Sequence, residues 1–291
     1  MDVDKKYSEY VSRFENSLTE CLNGLDKNAP KIITEAMEYA VSDGGKRVRP
    51  VLCYAAAEAL GLNSEAVKNF ALAVEFIHSY SLVHDDLPAM DNDDYRRGKY
   101  STHKKFGEAI GILAGDALLN YAFELCLSDE HFGKKQARAL KVLAEYAGYS
   151  GMIAGQVIDL ASEKSDSADE KTLYDMYINK TSKLLTAPLL AASELAGGVY
   201  YNEFEEFGKN LGIFFQISDD FMDAEGTFSH IGKTPNKDEK ENKLTSIRVF
   251  GKDGAKKRAE KHYLLAKSAI EKVPNTEFLS AFADKLYKRT F

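Results

Sequence analysis

Two aspartate clusters are the residues of this chain whose types and spacing could do chemistry. Each follows an apolar run; the clusters are Asp85, Asp86 and Asp91 in LVHDDLPAMD, and Asp219, Asp220 and Asp223 in ISDDFMD. Like charges three or four residues apart destabilise a helix by roughly 0.2–0.5 kcal/mol per pair, so two such clusters suggest a compensating cation. Carboxylates without nearby cysteine or paired histidine favour Mg²⁺, which completes its shell with water and substrate phosphates.

The spacing within each cluster indicates how its carboxylates are presented. In the second cluster, separations of three and four residues place all three carboxylates on roughly one helix face. In the first, Pro88 disfavours helical geometry at Leu87, so we expect Asp91 to return from a turn. A calcium EF-hand does not fit, because it needs oxygen ligands at spacings of two and a glycine at the sixth position. Counted from Asp91, Tyr95 stands fifth and Arg96 sixth. Taken singly, either cluster could be a solvated acidic patch.

Basic residues occur in separate groups that could bind phosphate. The segment GGKRVRP at 44–50 places Lys46, Arg47 and Arg49 before a helix predicted to begin near Pro50. Side-chain cations and the free N–H groups of a helix start together make a plausible diphosphate site. A basic surface turn is the alternative.

Five further polar residues are ambiguous when taken alone. Arg96 and Arg97 could bind phosphate or neutralise the neighbouring aspartates, and Lys180-Thr181 could begin a helix or contact a ligand. His78 lies in an apolar run, where a core histidine is the commoner role. Glycoside hydrolysis would use paired carboxylates but would leave the basic groups without a role. Acidic clusters with separate cations instead suggest chemistry on a diphosphate held through Mg²⁺.

Composition indicates a soluble, mainly helical protein. The 291 residues are 44% hydrophobic and 29% charged with 6 prolines, and the net charge of -7 argues against nucleic acid as the main partner. Three widely spaced cysteines, Cys21, Cys53 and Cys126, are typical of free thiols in a reducing compartment. A polar N-terminus and the lack of a long uncharged apolar run predict a cytoplasmic protein without a membrane span.

Helical periodicity recurs along the whole chain, without strand-like alternation. Helices are predicted over about 7–23, 50–60, 65–84, 107–128, 134–148, 151–161, 169–196, 203–223, 254–271 and 277–289. Two polar segments, 91–105 and 225–243, each follow an aspartate cluster. Either could be a lid over a charged substrate or an ordinary solvated connection.

In combination, these segments closely resemble the trans-polyprenyl diphosphate synthases. The resemblance covers nearly the whole chain and is carried, in order, by GGKRVRP, EFIHSYSLVHDDLPAMDNDDYRRGK, THKKFGEAIGILAGDALL, GMIAGQVIDL, NKTSKLL, FFQISDDFMD and IGKTPNKDEKENK. It implies an all-α isoprenoid synthase fold, with residues 1–291 forming one helical domain around a deep central cavity. It also implies a homodimer in which the two aspartate clusters of each chain face one another.

The same resemblance implies a role for each candidate residue. The direct Mg²⁺ ligands would be Asp85, Asp91 and Asp219, supported by Asp86, Asp220 and Asp223. The allylic diphosphate would be held by Arg96, Lys180, Thr181, Gln216, Lys233 and Lys243, and isopentenyl diphosphate by Gly45, Lys46, Arg49, His78 and Arg97. The implied reaction is ionisation of the allylic diphosphate, attack by the isopentenyl double bond and loss of a proton, with released diphosphate as the base.

Product length is a finer expectation. In the short-chain branch that the Leu-Pro-Ala-Met spacing resembles, the fifth residue before the first aspartate often limits growth, and here it is Tyr80. A bulky ring there implies farnesyl diphosphate as product. Ser81 shares the face of Asp85 better, so the role of Tyr80 comes from the resemblance.

Three other functions remain alternatives: a geranylgeranyl diphosphate synthase, a terpene cyclase and a non-catalytic partner subunit. Two departures from the family pattern are Ser182, where many relatives have glycine, and the segment Leu244-Thr245-Ser246-Ile247. The second departure loosens the assignment of Lys243.

Overall fold

The computed structural model of the chain describes residues 2–42, 44–163, 169–225 and 243–290. The helices of these residues are α1 (Val3–Asn23), α2 (Lys31–Ser42), α3 (Val48–Ala59), α4 (Lys68–Asp85), α5 (Thr102–Phe106), α6 (Glu108–Leu127), α7 (Lys134–Ala147), α8 (Met152–Glu163), α9 (Glu170–Met176), α10 (Lys183–Leu195), α11 (Tyr201–Glu225), α12 (Ser246–Ala269) and α13 (Glu277–Thr290). A 3₁₀-helix (Ser64–Val67) precedes α4, and a π-helix (Tyr177–Ser182) joins α9 to α10. An antiparallel pair of two-residue strands, β1 (Tyr95–Arg96) and β2 (Lys99–Tyr100), completes the described elements. The predicted all-α class is confirmed.

The core is centred on α10, which packs against α3, α7 and α11. A helix that is apolar around its whole circumference must be surrounded by other elements. The helix α10 is surrounded in this way, since residues 184–193 are all buried. The central helices thus form a rigid frame for the side chains at their ends.

Most predicted helices are confirmed, and the misses have local causes. The helix α2 was missed, and α3 begins at Val48, two residues before Pro50. The β1–β2 hairpin was also missed, because two-residue strands are too short to show alternation. The segment named α12 is kinked at Gly251 (φ 67°, ψ 165°), which separates a short first part from a longer second part. The helix predicted over 254–271 corresponds to the second part, and the short first part was missed.

Among the residues that the structure describes, one helix, α6, is long and apolar enough to cross a membrane by length and composition. Only 33% of its apolar stretch is buried. Its inner side packs against α4 and α2. The exposed remainder includes Ile112 and Leu113, which are 47% and 53% exposed.

Candidate active site

A cavity of about 470 Å³ lies where α4, α6, α8 and the π-helix meet. It brings together six of the residues that the sequence singled out, namely Arg49, His78, Tyr80, Asp85, Lys180 and Thr181. Part of its wall is apolar, and polar side chains complete it. The apolar part is lined by Leu82, Met90, Leu119, Met152 and Ile153, and the further polar residues are Ser81, His84, Asp116 and Gln156. The cavity therefore combines charged groups with an apolar space.

The first aspartate cluster stands where α4 ends. The backbone N–H of Asp91 donates to the carbonyl of Asp85 at 2.8 Å, so the chain folds back and the predicted turn is confirmed. Burial raises the pKa of Asp85 to about 6, with the charge of Lys180 opposing this shift and that of Asp91 adding to it. A partly desolvated carboxylate beside a second carboxylate is a setting in which a divalent cation would stabilise both charges.

Asp86 differs from its neighbour because it is buried and paired. Its carboxylate accepts from Nε of Arg96 at 3.0 and 3.1 Å, and Nη2 of Arg96 also donates to it. Only 2% of Asp86 is exposed. The metal-supporting role of Asp86 and the diphosphate contact of Arg96 stay predictions.

The loop before α3 is shaped around Arg97. Nη1 of Arg97 donates to the carbonyl of Gly44 at 2.9 Å. A Cβ at Gly45, whose φ is +101°, would lie 2.8 Å from Cζ of Arg97, so both the conformation and the contact require glycine. Lys46 follows at an exposed position, and its carbonyl accepts from the hydroxyl of Tyr7.

Arg49 and His78 form the buried part of this basic group. Nε of Arg49 is buried and has no hydrogen-bond partner among the described residues. Burial lowers the pKa of Arg49 to about 10, with Glu75 opposing the shift, so the side chain stays a cation. Burial first, and then Arg49 and Arg97, lower the pKa of His78 well below its usual value, so the imidazole is neutral. A half-buried guanidinium whose Nε has no partner suits an anionic ligand.

Arg47 has a different role from the cations on either side of it. It is 2% exposed, and its guanidinium donates to Glu15 at 2.7 Å, to Glu75 at 2.8 Å and to the carbonyl of Val41 at 2.7 Å. The expectation that Arg47 joins the diphosphate-binding group is therefore wrong. Its backbone is left-handed (φ 46°), which turns the side chain inward.

The other half of the site is carried by the π-helix. Lys180 pairs with the buried carboxylate of Asp159, and the Thr181 hydroxyl donates to Oε1 of Gln216 at 2.8 Å. Two glycines allow this helix to lie close to its neighbours. A Cβ at Gly155 would lie 2.1 Å from the backbone nitrogen of Lys180, and one at Gly212 would lie 2.4 Å from Cα of Ser182.

A smaller cavity of about 110 Å³ adjoins this half. Its lining includes Asp159, Lys180, Gln216, Asp220 and Lys243. Nζ of Lys243 lies 3.7 Å from Oδ2 of Asp91, which links the second half of the chain to the first aspartate cluster. Asp219 and Asp223 lie on α11 at partly exposed positions. Lys233 and residues 226–242 lie outside the described residues.

Sequence reasoning missed three residues that the structure places at or beside the site. Asp159 pairs with Lys180, Gln156 lines the larger cavity, and Glu75 pairs with Arg47. Each polar or acidic side chain lies in an apolar helical stretch, and such a residue normally needs a buried partner. That signal could have identified Asp159 and Glu75, although it could not have named their partners.

The donor set fits magnesium bound together with a substrate. Across the described ranges 2–225 and 243–290, apart from their two gaps at 43 and 164–168, no three carboxylate, imidazole or thiolate groups converge as a complete metal site. A carboxylate pair such as Asp85 and Asp91 is what Mg²⁺ uses when phosphate oxygens complete its shell. The residues present therefore fit the ion.

Comparison with known proteins decides the family. The model of the family "Polyprenyl synthetase" matches residues 30–278. The chain belongs to the polyprenyl synthetase family. It is 39% identical to a farnesyl diphosphate synthase of Haemophilus influenzae, over 98% of both chains. It is 40% identical to a geranylgeranyl diphosphate synthase of Cyanophora paradoxa, over 91% of this chain and 89% of that one.

A solved structure supports the same assignment. The chain is similar to a geranyltransferase of Helicobacter pylori in complex with magnesium and isoprenyl diphosphate, with a TM-score of 0.85 and 28% identity. The superposition covers 99% of this chain and 98% of that one. The isoprenoid synthase fold expected for this polyprenyl synthetase is thereby confirmed, while its organisation as one domain stays a prediction.

Proposed function

We propose that this polyprenyl synthetase condenses isopentenyl diphosphate with dimethylallyl or geranyl diphosphate, with farnesyl diphosphate as its main product. The observation that carries the proposal is the cavity, in which Asp85, Arg49 and His78 lie beside apolar side chains and Tyr80 is part of the lining. Such a cavity suits a substrate with an anionic head and a hydrocarbon tail. The family and the names of the relatives support the same reaction.

In this proposal each half of the site binds one of the two substrates. Isopentenyl diphosphate binds at Lys46, Arg49, His78 and Arg97, where the buried, unpartnered Nε of Arg49 offers a donor. The allylic diphosphate binds at the other half, at Lys180, Thr181, Gln216, Lys233 and Lys243, with Arg96 contributing from beside the first aspartate cluster. Separate cationic groups let one site hold two anions without placing their charges on the same side chains.

Asp85, Asp91 and Asp219 are the residues that would hold magnesium. Bound there, Mg²⁺ supplies positive charge that stabilises the diphosphate leaving group. The residues of the chain orient the reactants and exclude water. Lys180 and Lys243 add positive charge near the leaving group, and the apolar wall protects the allylic cation from hydration.

Tyr80 closes the cavity along the direction in which the product grows. It lies five residues before Asp85 on α4, a rise of about 7.5 Å. Its ring packs edge-on against His84, with 5.8 Å between centroids, and His84 fills the space beside Gly115 of α6. Ser81 also lines the cavity but is too small to close it. We infer that Tyr80 is the side chain that limits chain length.

Product analysis of three proteins tests this proposal. Wild type and Tyr80→Phe should give mainly the fifteen-carbon product from either allylic starter, because both keep the ring. Tyr80→Ala should shift the products to twenty carbons or more. Chromatography with mass detection measures the distribution. A dominant twenty-carbon product from wild type would favour the geranylgeranyl alternative, which the Cyanophora relative keeps open.

The same assay separates the other two alternatives. A terpene cyclase would release cyclic hydrocarbon without isopentenyl diphosphate. It would not need Arg49 and His78 for a second diphosphate. A non-catalytic subunit would be inactive when expressed alone. Turnover by the purified chain with both substrates excludes both alternatives.

We further propose that the enzyme is a cytoplasmic homodimer that uses the outer face of α6. This helix is apolar, yet only 33% of its apolar stretch is buried within the chain. A large exposed apolar face is typical of a protein interface. The three cysteines are free thiols, as expected in a reducing compartment.

A further inference from the structure

Asp220 is covered by three hydrogen-bond donors from two other elements. Its Oδ2 accepts from the backbone N–H of Ser246 at 2.6 Å, from the Ser246 hydroxyl at 2.6 Å and from the Tyr177 hydroxyl. Asp220, Tyr177 and Ser246 are 5%, 1% and 0% exposed. A carboxylate that accepts several hydrogen bonds in a buried setting holds its donors firmly, because losing one leaves a buried polar group unpaired.

The three residues belong to the three elements that carry the proposed allylic-diphosphate half. Tyr177 lies on the π-helix three residues before Lys180, Asp220 lies on α11 four residues after Gln216, and Ser246 opens α12 three residues after Lys243. Each member of the cluster is therefore three or four residues along the chain from a proposed ligand residue. The 110 Å³ cavity is lined by Tyr177 and Asp220 together with all three of those ligand residues.

Asp220 belongs to α11, but its carboxylate lies against the first residue of α12, and this contact adds a second stabilising effect. Ser246 is the first residue of this helix, where free N–H groups and the helix dipole favour a negative charge. Asp219, the residue before Asp220 on α11, is only partly buried, whereas Asp220 is buried. Consecutive side chains of a helix point about 100° apart, so the carboxylates of Asp219 and Asp220 face different surroundings.

We propose that Asp220, Tyr177 and Ser246 form a buried cluster that positions Lys180, Gln216 and Lys243 for the allylic diphosphate. In this arrangement Asp220 is a positioning residue. This inference rests on the proposed function for the identity of the substrate, whereas the cluster itself is a property of the free protein.

The kinetic test compares two Tyr→Phe variants on neighbouring turns. Tyr177→Phe removes the hydroxyl that donates to Asp220, and the control Tyr174→Phe removes one that contacts His262 instead. Tyr177→Phe should raise the KM for geranyl diphosphate about tenfold, and the KM for isopentenyl diphosphate should change less than about twofold. Binding of an unreactive thio analogue of geranyl diphosphate, measured by calorimetry, should weaken by the same factor. Ser246→Ala should act in the same direction.

A second measurement uses the free protein and needs no turnover. Hydrogen exchange across residues 243–250 should become faster in Tyr177→Phe and in Asp220→Asn than in Tyr174→Phe, because the Ser246 N–H loses a well-ordered acceptor. Equal exchange in the two Tyr→Phe variants would overturn the cluster. Faster exchange with equal effects on both KM values would overturn its positioning role. An inactive wild type with faster exchange in Tyr177→Phe would refute the proposed function and the positioning role but leave the cluster standing.

Discussion

At the residue scale, neighbouring side chains of like type have unlike roles. Lys46, Arg47 and Arg49 lie within four positions, yet Arg47 is buried against two carboxylates while Lys46 is exposed. Asp85 and Asp86 differ in the same way, because Arg96 covers the second. Residue type and spacing predicted that both segments take part in binding charged ligands. Which member of each segment points inward depends on the fold, because one left-handed residue, or one helical step of about 100°, turns the next side chain toward different surroundings.

The Arg47–Glu75 pair supplies a prediction about stability. Both side chains are at most 3% exposed. Arg47→Met should reduce the free energy of unfolding by about 3–5 kcal/mol, because it leaves the Glu75 carboxylate buried without its partner. Arg47→Lys should cost less, since a cation remains. Urea unfolding measures both.

An exposed ion pair is the matched control for this substitution. Arg138 pairs with Glu194 at 2.6 Å, but its side chain is 49% exposed. Arg138→Met should cost less than about 1 kcal/mol. Equal losses in the two methionine variants would mean that burial of the Arg47–Glu75 pair contributes nothing.

At the element scale, the position of the π-helix depends on two glycines. Gly155 and Gly212 let α8 and α11 approach the backbone that carries Lys180 and Thr181. Helical periodicity predicted a single helix over 169–196, and the continuity is right. Periodicity could not predict the π-helix, because the wider turn shifts the register of the side chains that follow it, and α10, in which residues 184–193 are all buried, has no apolar stripe that would reveal the shift.

Gly155→Ala tests the close approach of α8. The added Cβ would lie 2.1 Å from the backbone nitrogen of Lys180, so one of the two helices must move. We expect a loss of about 1–3 kcal/mol in unfolding free energy and a fall in kcat. Gly133→Ala is the control, because its nearest atom would lie 3.6 Å away. If both variants keep wild-type activity and stability, the contact does not position the π-helix.

His262 of α12 joins two other helices and makes the packing depend on pH. Its Nδ1 lies 2.8 Å from Oδ1 of Asn210 on α11, and its Nε2 lies 3.3 Å from the hydroxyl of Tyr174 on α9. The Asn210 amide nitrogen donates to Glu206, so the network assigns the imidazole proton to Nδ1. Burial lowers the pKa of His262 to about 4, helped by the positive charges of Lys261, Lys209 and Arg258.

The sign of this shift predicts destabilisation in mild acid. Because the unfolded imidazole has a pKa near 6.5, the unfolded state binds the proton first as the pH falls. The contribution of neutral His262 is complete above pH 6.5 and declines as the pH falls towards about 4. Between pH 7 and 4.5, wild type should lose on the order of 2 kcal/mol more than His262→Gln in urea unfolding. His131→Gln, at an exposed position, should follow wild type.

At the scale of the whole molecule, the sequence predicted the fold class and the type of chemistry better than it predicted which distant residues lie in contact. The order of motifs indicated the family because each motif carries charges that only a diphosphate reaction requires together. The contact between Lys243 and Asp91 joins segments about 150 residues apart, and no local spacing encodes it. The same limit applies to the outer face of α6, whose apolar residues could equally have been core.

The proposed dimer gives the last prediction. Leu113 of α6 and Leu264 of α12 are equally exposed, at 53% and 55%. Leu113→Asp should raise the dimer dissociation constant at least about a hundredfold, because it buries a charge in an apolar interface. Leu264→Asp should change it less than about threefold. Sedimentation velocity over a concentration series measures both, and a stable dimer of the Leu113 variant would place the interface elsewhere.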